Sequence, residues 1–95
     1  MAEKTTGHFI KDLELEEYIA ARPHAKEVPG YFDDEGKFTH GPFFTAYLGK
    51  QMVGMRDMPG YIKDAGAYMW RSAALAAAKA FQEKCRELLA ERNNG

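Results

Sequence analysis

The chain has 95 residues, of which 45% are hydrophobic and 28% charged, and its formal net charge is −1. This length corresponds to a single small domain, so we expect one folded unit over residues 1–95, with frayed ends at 1–7 and 92–95. The near-neutral balance excludes a general coat for DNA or RNA, because such a protein needs a strong positive field.

The charges are unevenly distributed along the chain. Residues 1–36 hold nine acids and four bases, whereas residues 37–95 hold five acids and nine bases. In one interpretation the acidic first segment folds against the basic C-terminal segment, or meets it in another subunit. In the other, the basic half binds an anion.

Cysteine and histidine usage speaks against disulfides and metal sites. Cys85 is the only cysteine, and His8, His24 and His40 lie sixteen residues apart, a spacing that matches no common metal motif.

The longest apolar run has six residues, whereas a bilayer span needs about 20. The N-terminal residues do not resemble a signal peptide. We therefore expect a cytoplasmic protein without a membrane span, metal or cofactor.

The first element in chain order is a predicted helix over about 10–22. Acidic residues crowd its beginning, where they favour the positive end of the helix dipole. Leu15, Tyr18 and Ile19 follow the i, i+3, i+4 spacing of a helical face. Pro23 cannot continue a helix, so we expect the element to end before it.

A short β-hairpin is predicted at about 30–39. Tyr31, Phe32 and Phe38 flank an Asp-Asp-Glu-Gly segment that has the composition of a tight turn. Such a hairpin needs support from the rest of the domain, because an isolated one is marginally stable. An irregular aromatic loop is the alternative.

A second helix is predicted over about 42–53. Gly41 and Pro42 are typical of a helix start. Phe44, Leu48 and Met52 follow at steps of four, which would place them on one helical face. We expect Phe44 and Leu48 in the core, together with Trp70.

A third and longer helix is predicted over about 58–91. The segment is rich in Ala, Leu, Lys, Glu, Gln and Arg, which favour helices. A helix of that length would span about 50 Å, more than the diameter of a compact domain of this size. It would therefore bend near Gly66 or project from the monomer. The resulting fold class is mainly α, with three helices.

The predicted long helix carries a second apolar seam that suggests self-association. Tyr61, Tyr68 and Leu75 recur at seven-residue steps, and the alanine-rich stretch around Ala76 would let another backbone approach closely. These four residues are the predicted interface of a homo-oligomer. The alternative is a monomer in which the first helix and the hairpin cover the seam.

The sequence shows no catalytic constellation. Ser72 and Cys85 are the only serine and cysteine, and neither has a base and an orienting group at a suggestive spacing. The acidic turn at 33–35 lacks the first ligand position of a calcium loop. No glycine-rich phosphate-binding motif is present. We therefore expect no catalytic residues and no enzyme activity.

Two functions remain open. The first is a small, non-catalytic, homo-oligomeric regulatory or inhibitory protein that acts by protein–protein contact on a larger partner. The alternative is a binder of a nucleotide-like planar anion, since six aromatic residues fall between positions 31 and 47. Its candidate ligand-binding residues are Tyr31, Lys37, His40, Lys50 and Arg56.

Overall fold

The computed structural model describes residues 12–94, which form two helices and five strands. In chain order the elements are α1 (Asp12–Ala20), β1 (Pro23–Phe32), β2 (Phe38–Leu48), β3 (Gln51–Val53), β4 (Tyr61–Ile62), β5 (Ala67–Tyr68) and α2 (Arg71–Asn94). The strands make one antiparallel sheet in the order β1-β2-β5-β4, and β3 pairs with residues 46–48 of β2. The predicted mainly α fold with three helices is therefore wrong, and the domain is mixed α/β.

Helix α1 matches the first predicted helix, although residues 10 and 11 lie outside the described part. Its C-terminal end is fastened by the side chain of Gln82, which lies on α2. The Gln82 amide donates hydrogen bonds to the carbonyls of Tyr18, Ile19 and Ala21, at 3.0, 2.9 and 2.7 Å. A helix end leaves such carbonyls without helical partners, and the two N–H bonds of this one buried amide are shared among the three. The Tyr18 carbonyl also accepts a hydrogen bond from the Ala21 amide at 3.2 Å.

The segment at 30–39 is a hairpin rather than a loop, and it is much longer than predicted. Its strands pair from Pro23 opposite Leu48 to Phe32 opposite Phe38. At the turn, the Asp33 carboxylate accepts hydrogen bonds from the backbone amides of residues 35 and 37, at 3.0 and 2.9 Å. This side-chain closure of the turn is typical of aspartate.

The helix predicted over 42–53 is wrong, because this segment belongs to strands β2 and β3. A step of four residues keeps side chains on one face of a helix, but it also keeps them on one face of a strand, where the period is two. Phe44, Ala46 and Leu48 alternate along β2 in this way. Gly49, with a positive φ of 62°, supplies the turn into β3.

The helical prediction for 58–70 is also wrong. Gly60 and Gly66 adopt positive φ values of 83° and 62°, which favour turns, so Gly66 marks a turn between β4 and β5 rather than a helix bend. Tyr61 and Tyr68 are cross-strand partners with ring centroids 5.3 Å apart. Their seven-residue spacing reflects a small hairpin and not a heptad.

Helix α2 begins at Arg71 and, with 24 residues, is about 36 Å long. It continues through Asn94, while residues 1–7 and Gly95 lie outside the described residues. The fraying expected at 1–7 and 92–95 stays a prediction. None of the helices in the described part is long and apolar enough to cross a membrane.

The core lies between α2 and the sheet. Three fully buried alanines of α2 pack against three buried residues of the sheet, namely Ala74, Ala77 and Ala78 against Ala46, Leu48 and Tyr68. The predicted core position of Leu48 is confirmed, and Phe44 packs at the margin of this cluster. Trp70 is 54% exposed, so its predicted core position is wrong.

Candidate functional site

The far end of the β1–β2 hairpin exposes aromatic side chains. Phe32 is 69% and Phe38 37% exposed, and their ring centroids lie 5.1 Å apart in an edge contact. The imidazole of His40 adds a second edge contact to Phe38, at 4.8 Å. We refer to Phe32, Phe38 and His40 as the aromatic hairpin end.

Acidic side chains lie beside the aromatic hairpin end. Asp33 is engaged by the backbone amides of the turn, whereas Asp34 and Glu35 are exposed. Lys37 is exposed in the same turn. The hairpin end therefore combines an apolar cluster with a negatively charged tip.

A second surface is the sheet face opposite the helices. The His24 ring stacks on Tyr47 with centroids 5.4 Å apart, and the Lys26 Nζ lies 4.6 Å from the centroid of the same Tyr47 ring. The His24 Nε2 lies 2.7 Å from the carbonyl oxygen of Gly49. Met52, the cross-strand neighbour of Tyr47, is 59% exposed. His24 and Lys26 of the same chain therefore already contact the Tyr47 ring.

A third surface is a cleft between α1, α2 and the loop that follows β3. Its volume is about 410 Å³. Three half-buried aromatic rings and one guanidinium share its lining with small and apolar residues, and the full lining is Tyr18, Met52, Val53, Gly54, Arg56, Tyr61, Gly66 and Phe81. We refer to it as the aromatic cleft.

Two polar anchors hold the walls of the aromatic cleft. The Gln82 amide fixes the end of α1 and with it Tyr18, whose ring makes an edge contact with Phe81 at 5.4 Å. The Tyr68 hydroxyl accepts a hydrogen bond from the Met55 amide at 2.8 Å and donates one to the Met55 carbonyl at 2.9 Å. Burial raises the pKa of Tyr68, which favours the neutral hydroxyl that can do both.

A further cleft, of about 440 Å³, lies between α1 and the β2–β3 turn. Glu14 and Glu17 line one side of it and Lys50 the other. Its lining therefore carries charges of both signs, and it has a single aromatic ring, that of Tyr18. Planar anions would meet two carboxylates there.

The structure does not bring the five predicted ligand-binding residues together. Tyr31 contacts Phe43, with ring centroids 5.2 Å apart. Tyr31, Lys37 and His40 all lie in the distal part of the β1–β2 hairpin. Lys50 lies at the mixed-charge cleft and Arg56 at the aromatic cleft, away from these three.

The four residues of the predicted oligomer interface do not lie on one helix. Tyr68 is fully buried in β5 and Tyr61 lines the aromatic cleft from β4. On α2, Leu75 is half-buried and Ala76 is exposed. The seam of Tyr61, Tyr68 and Leu75 therefore does not form, and self-association stays a prediction.

The remaining candidates are metal-binding groups and the two nucleophilic side chains, Cys85 and Ser72. Within residues 12–94, no group of three or more His, Cys, Asp or Glu side chains could hold a metal ion. Cys85 is buried in the core, and burial raises the pKa of its thiol. Ser72 is exposed at the start of α2.

Sequence reasoning missed the role of Tyr18 and Phe81 as cleft walls. Both residues occupy apolar positions of helices, and nothing in their spacing shows that the helices meet there beside Arg56. The chain matches no protein-family model, no curated protein and no solved structure.

Proposed function

We propose that the protein is a small, non-catalytic regulatory or inhibitory module that acts by protein–protein contact through its aromatic hairpin end. The observation that carries this proposal is the exposure of Phe32 and Phe38, 69% and 37%, at the tip of a long hairpin. Exposed aromatic pairs of this kind are what protein interfaces use as anchors.

The chemistry of the partner is set by what surrounds these rings. The exposed carboxylates of Asp34 and Glu35 lie in the turn that joins the strands bearing Phe32 and Phe38. A complementary protein surface offers an apolar groove bordered by lysine or arginine. The partner in this proposal is therefore a separate protein with a basic-edged groove.

The free edge of β1 is a poorer binding surface than the hairpin end. Pro23 and Pro29 lack the backbone N–H that a pairing strand needs, and the register shifts between Val28 and Gly30. Prolines and bulges of this kind protect sheet edges against pairing with other chains. Side-chain contact at the hairpin end is favoured over strand addition along β1.

The proposal is tested by comparative capture. The tagged full chain and its Phe32→Ser variant are used to retain proteins from a lysate of the native host, with Met69→Ser as a matched control. Met69 is also exposed, at 51%, but lies between β5 and α2 and lines neither cleft. We expect at least one protein to be retained by the wild type and the control, and to fall about tenfold or more with Phe32→Ser, because anchor residues dominate interface energetics.

Charge reversal provides the second arm of the same experiment. Asp34→Lys and Glu35→Lys should weaken retention, and wild-type retention should fall as salt increases, because the carboxylates steer a basic partner. Retention that Phe32→Ser leaves unchanged would contradict the proposal.

Self-association is an outcome that light scattering detects directly. The chain has a mass of 10.7 kDa. A larger species that Phe32→Ser returns to the monomer mass would assign the hairpin end to a second copy of the chain instead of a separate partner. The predicted homo-oligomer would then be correct, but through a different surface.

A cytoplasmic location is part of the same proposal. Its support is the free Cys85 thiol, which a reducing compartment preserves. Fractionation of the host cell, with detection of the chain in the cytoplasmic fraction, tests it.

A further inference from the structure

We propose that the aromatic cleft binds a small planar aromatic anion of the size of a nucleoside monophosphate. In this complex the ring of the ligand contacts Tyr18, Tyr61 and Phe81, and its negative group lies at the guanidinium of Arg56. The site is separate from the aromatic hairpin end, none of whose residues lines the cleft.

The size and lining of the cleft fit such a ligand. Its volume of about 410 Å³ lies within the range of about 300–1,000 Å³ found for small-molecule sites. Tyr18, Tyr61 and Phe81 are each half-buried, so each ring is supported by the protein while part of it remains accessible. Aromatic rings bind planar bases by stacking or edge contact.

The lining of the cleft carries one positive charge and no negative one. Arg56 is the one charged residue among those that line it, and it is exposed. Its planar guanidinium matches a phosphate or carboxylate in a two-point hydrogen-bonded contact. The neighbouring mixed-charge cleft, by contrast, has two carboxylates, Glu14 and Glu17, in its own lining.

The binding residues are held in place before a ligand arrives. The Tyr68 hydroxyl fixes both backbone groups of Met55, the residue next to Arg56, and the Gln82 amide fixes the turn of α1 that carries Tyr18. A site that is already ordered loses less conformational entropy on binding.

Gly54 lines the cleft and has room for a side chain, which makes the proposal testable. A Cβ atom added at Gly54 would meet nothing within 4 Å, and its φ does not lie in the left-handed region. Gly54→Leu therefore adds a large side chain at the cleft lining without a backbone clash. Gly66 also faces open space, but its positive φ of 62° makes it a poor position for substitution.

The experiment titrates the purified full chain with the 5′-monophosphates of adenosine, guanosine, cytidine and uridine, using NMR chemical shifts and thermal unfolding as readouts. The matching nucleosides and inorganic phosphate are separate arms. We expect at least one nucleotide to raise the melting temperature, since a ligand of the native state stabilises it. The shifted resonances should belong to Tyr18, Tyr61, Arg56 and Phe81.

Three variants decide whether the binding is at the cleft. Arg56→Gln should raise the Kd about tenfold or more, and Gly54→Leu should abolish binding while the melting temperature of the free chain stays within a few degrees. Arg22→Gln is the control, because Arg22 is also exposed but does not line the cleft.

The proposal is overturned if no nucleotide at millimolar concentration shifts these resonances. It is also overturned if binding survives both Arg56→Gln and Gly54→Leu, or if inorganic phosphate binds as tightly as the nucleotide. None of these results bears on capture through Phe32, so the two proposals fail independently.

Discussion

At the scale of single residues, Tyr68 joins the core to the loop above it. Its side chain is fully buried, and its hydroxyl pairs with both the amide and the carbonyl of Met55. The ring packs in the same cluster as Ala46 and Leu48. The Tyr68 side chain therefore packs in the core and also forms hydrogen bonds with the backbone of the loop that follows β3.

Tyr68→Phe removes that hydroxyl and leaves the Met55 amide without its partner, whereas the Met55 carbonyl still accepts a hydrogen bond from the Met58 amide at 3.1 Å. We expect the free energy of unfolding to fall by about 1–3 kcal/mol, the cost of one unsatisfied buried polar group. The melting temperature should fall by roughly 5–20 °C for a domain of this size.

The matched control for this prediction is Tyr61→Phe. Tyr61 is the cross-strand partner of Tyr68, but its hydroxyl makes no hydrogen bond within the described part of the chain. Its loss should change the melting temperature by a few degrees at most. Equal effects of the two substitutions would show that the Met55 contacts contribute nothing.

At the scale of elements, α2 and the sheet approach each other through alanines. Ala74, Ala77 and Ala78 are fully buried against the sheet, whereas Ala76 is exposed on the other side of the helix. The alanine-rich stretch that suggested contact with another subunit therefore serves mainly the helix–sheet contact of this chain. Small side chains let the helix backbone lie close to the strands.

Ala77→Glu and Ala76→Glu place the same charge at adjacent positions with opposite burial. Ala77→Glu should unfold the domain or lower its stability by more than about 3 kcal/mol, because it buries an unpaired carboxylate. Ala76→Glu should stay within about 0.5 kcal/mol, as surface substitutions do. Circular dichroism during thermal unfolding measures both.

Ala76→Glu also tests the predicted oligomer. If Ala76 lies in a contact between subunits, the substitution should reduce the mass measured by light scattering while the monomer stays folded. A mass unchanged by the substitution would remove Ala76 from any such contact.

At the scale of the whole molecule, α2, which lies in the basic half of the sequence, packs against β1, which lies in the acidic half. Arg71, at the start of α2, lies 3.5 Å from the Glu27 carboxylate and 4.9 Å from the Phe44 ring centroid. Both partners of the ion pair are more than half exposed, so we expect it to contribute little to stability. We expect the buried face of α2, which includes Cys85, to contribute most of the stability of this contact.

Cys85 reports on global unfolding because it is 1% exposed. Burial raises the pKa of its thiol, and the reactive thiolate is therefore scarce in the native state. We expect a thiol-alkylating reagent to modify the native chain at a rate that follows the unfolded fraction, increasing steeply through the urea transition. In a Ser72→Cys variant the added, exposed thiol should react fast while Cys85 stays protected. Fast modification of native Cys85 would contradict this packing.

The local chemistry of the chain could be predicted where it depends on neighbouring residues. The helix that ends before Pro23, the hairpin turn around Asp33 and the helical character of the segment after Arg71 are all visible in the sequence. Each is set by caps, turn residues and intrinsic propensities that act over a few positions. The role of Arg56 as an anion ligand stays a prediction.

Other features depended on tertiary contacts that sequence spacing does not show. Steps of four residues suit both a helix and a strand. Pairing with β1 made the choice for Phe44 and Leu48, whose partners Glu27 and Pro23 lie 17 and 25 residues away. The seven-residue step from Tyr61 to Tyr68 suits both a heptad and a small hairpin. The aromatic cleft joins Tyr18 to Phe81 across 63 positions. Sequence patterns determine which side chains could share a face, but only the packing of distant segments decides which face is buried and what meets there.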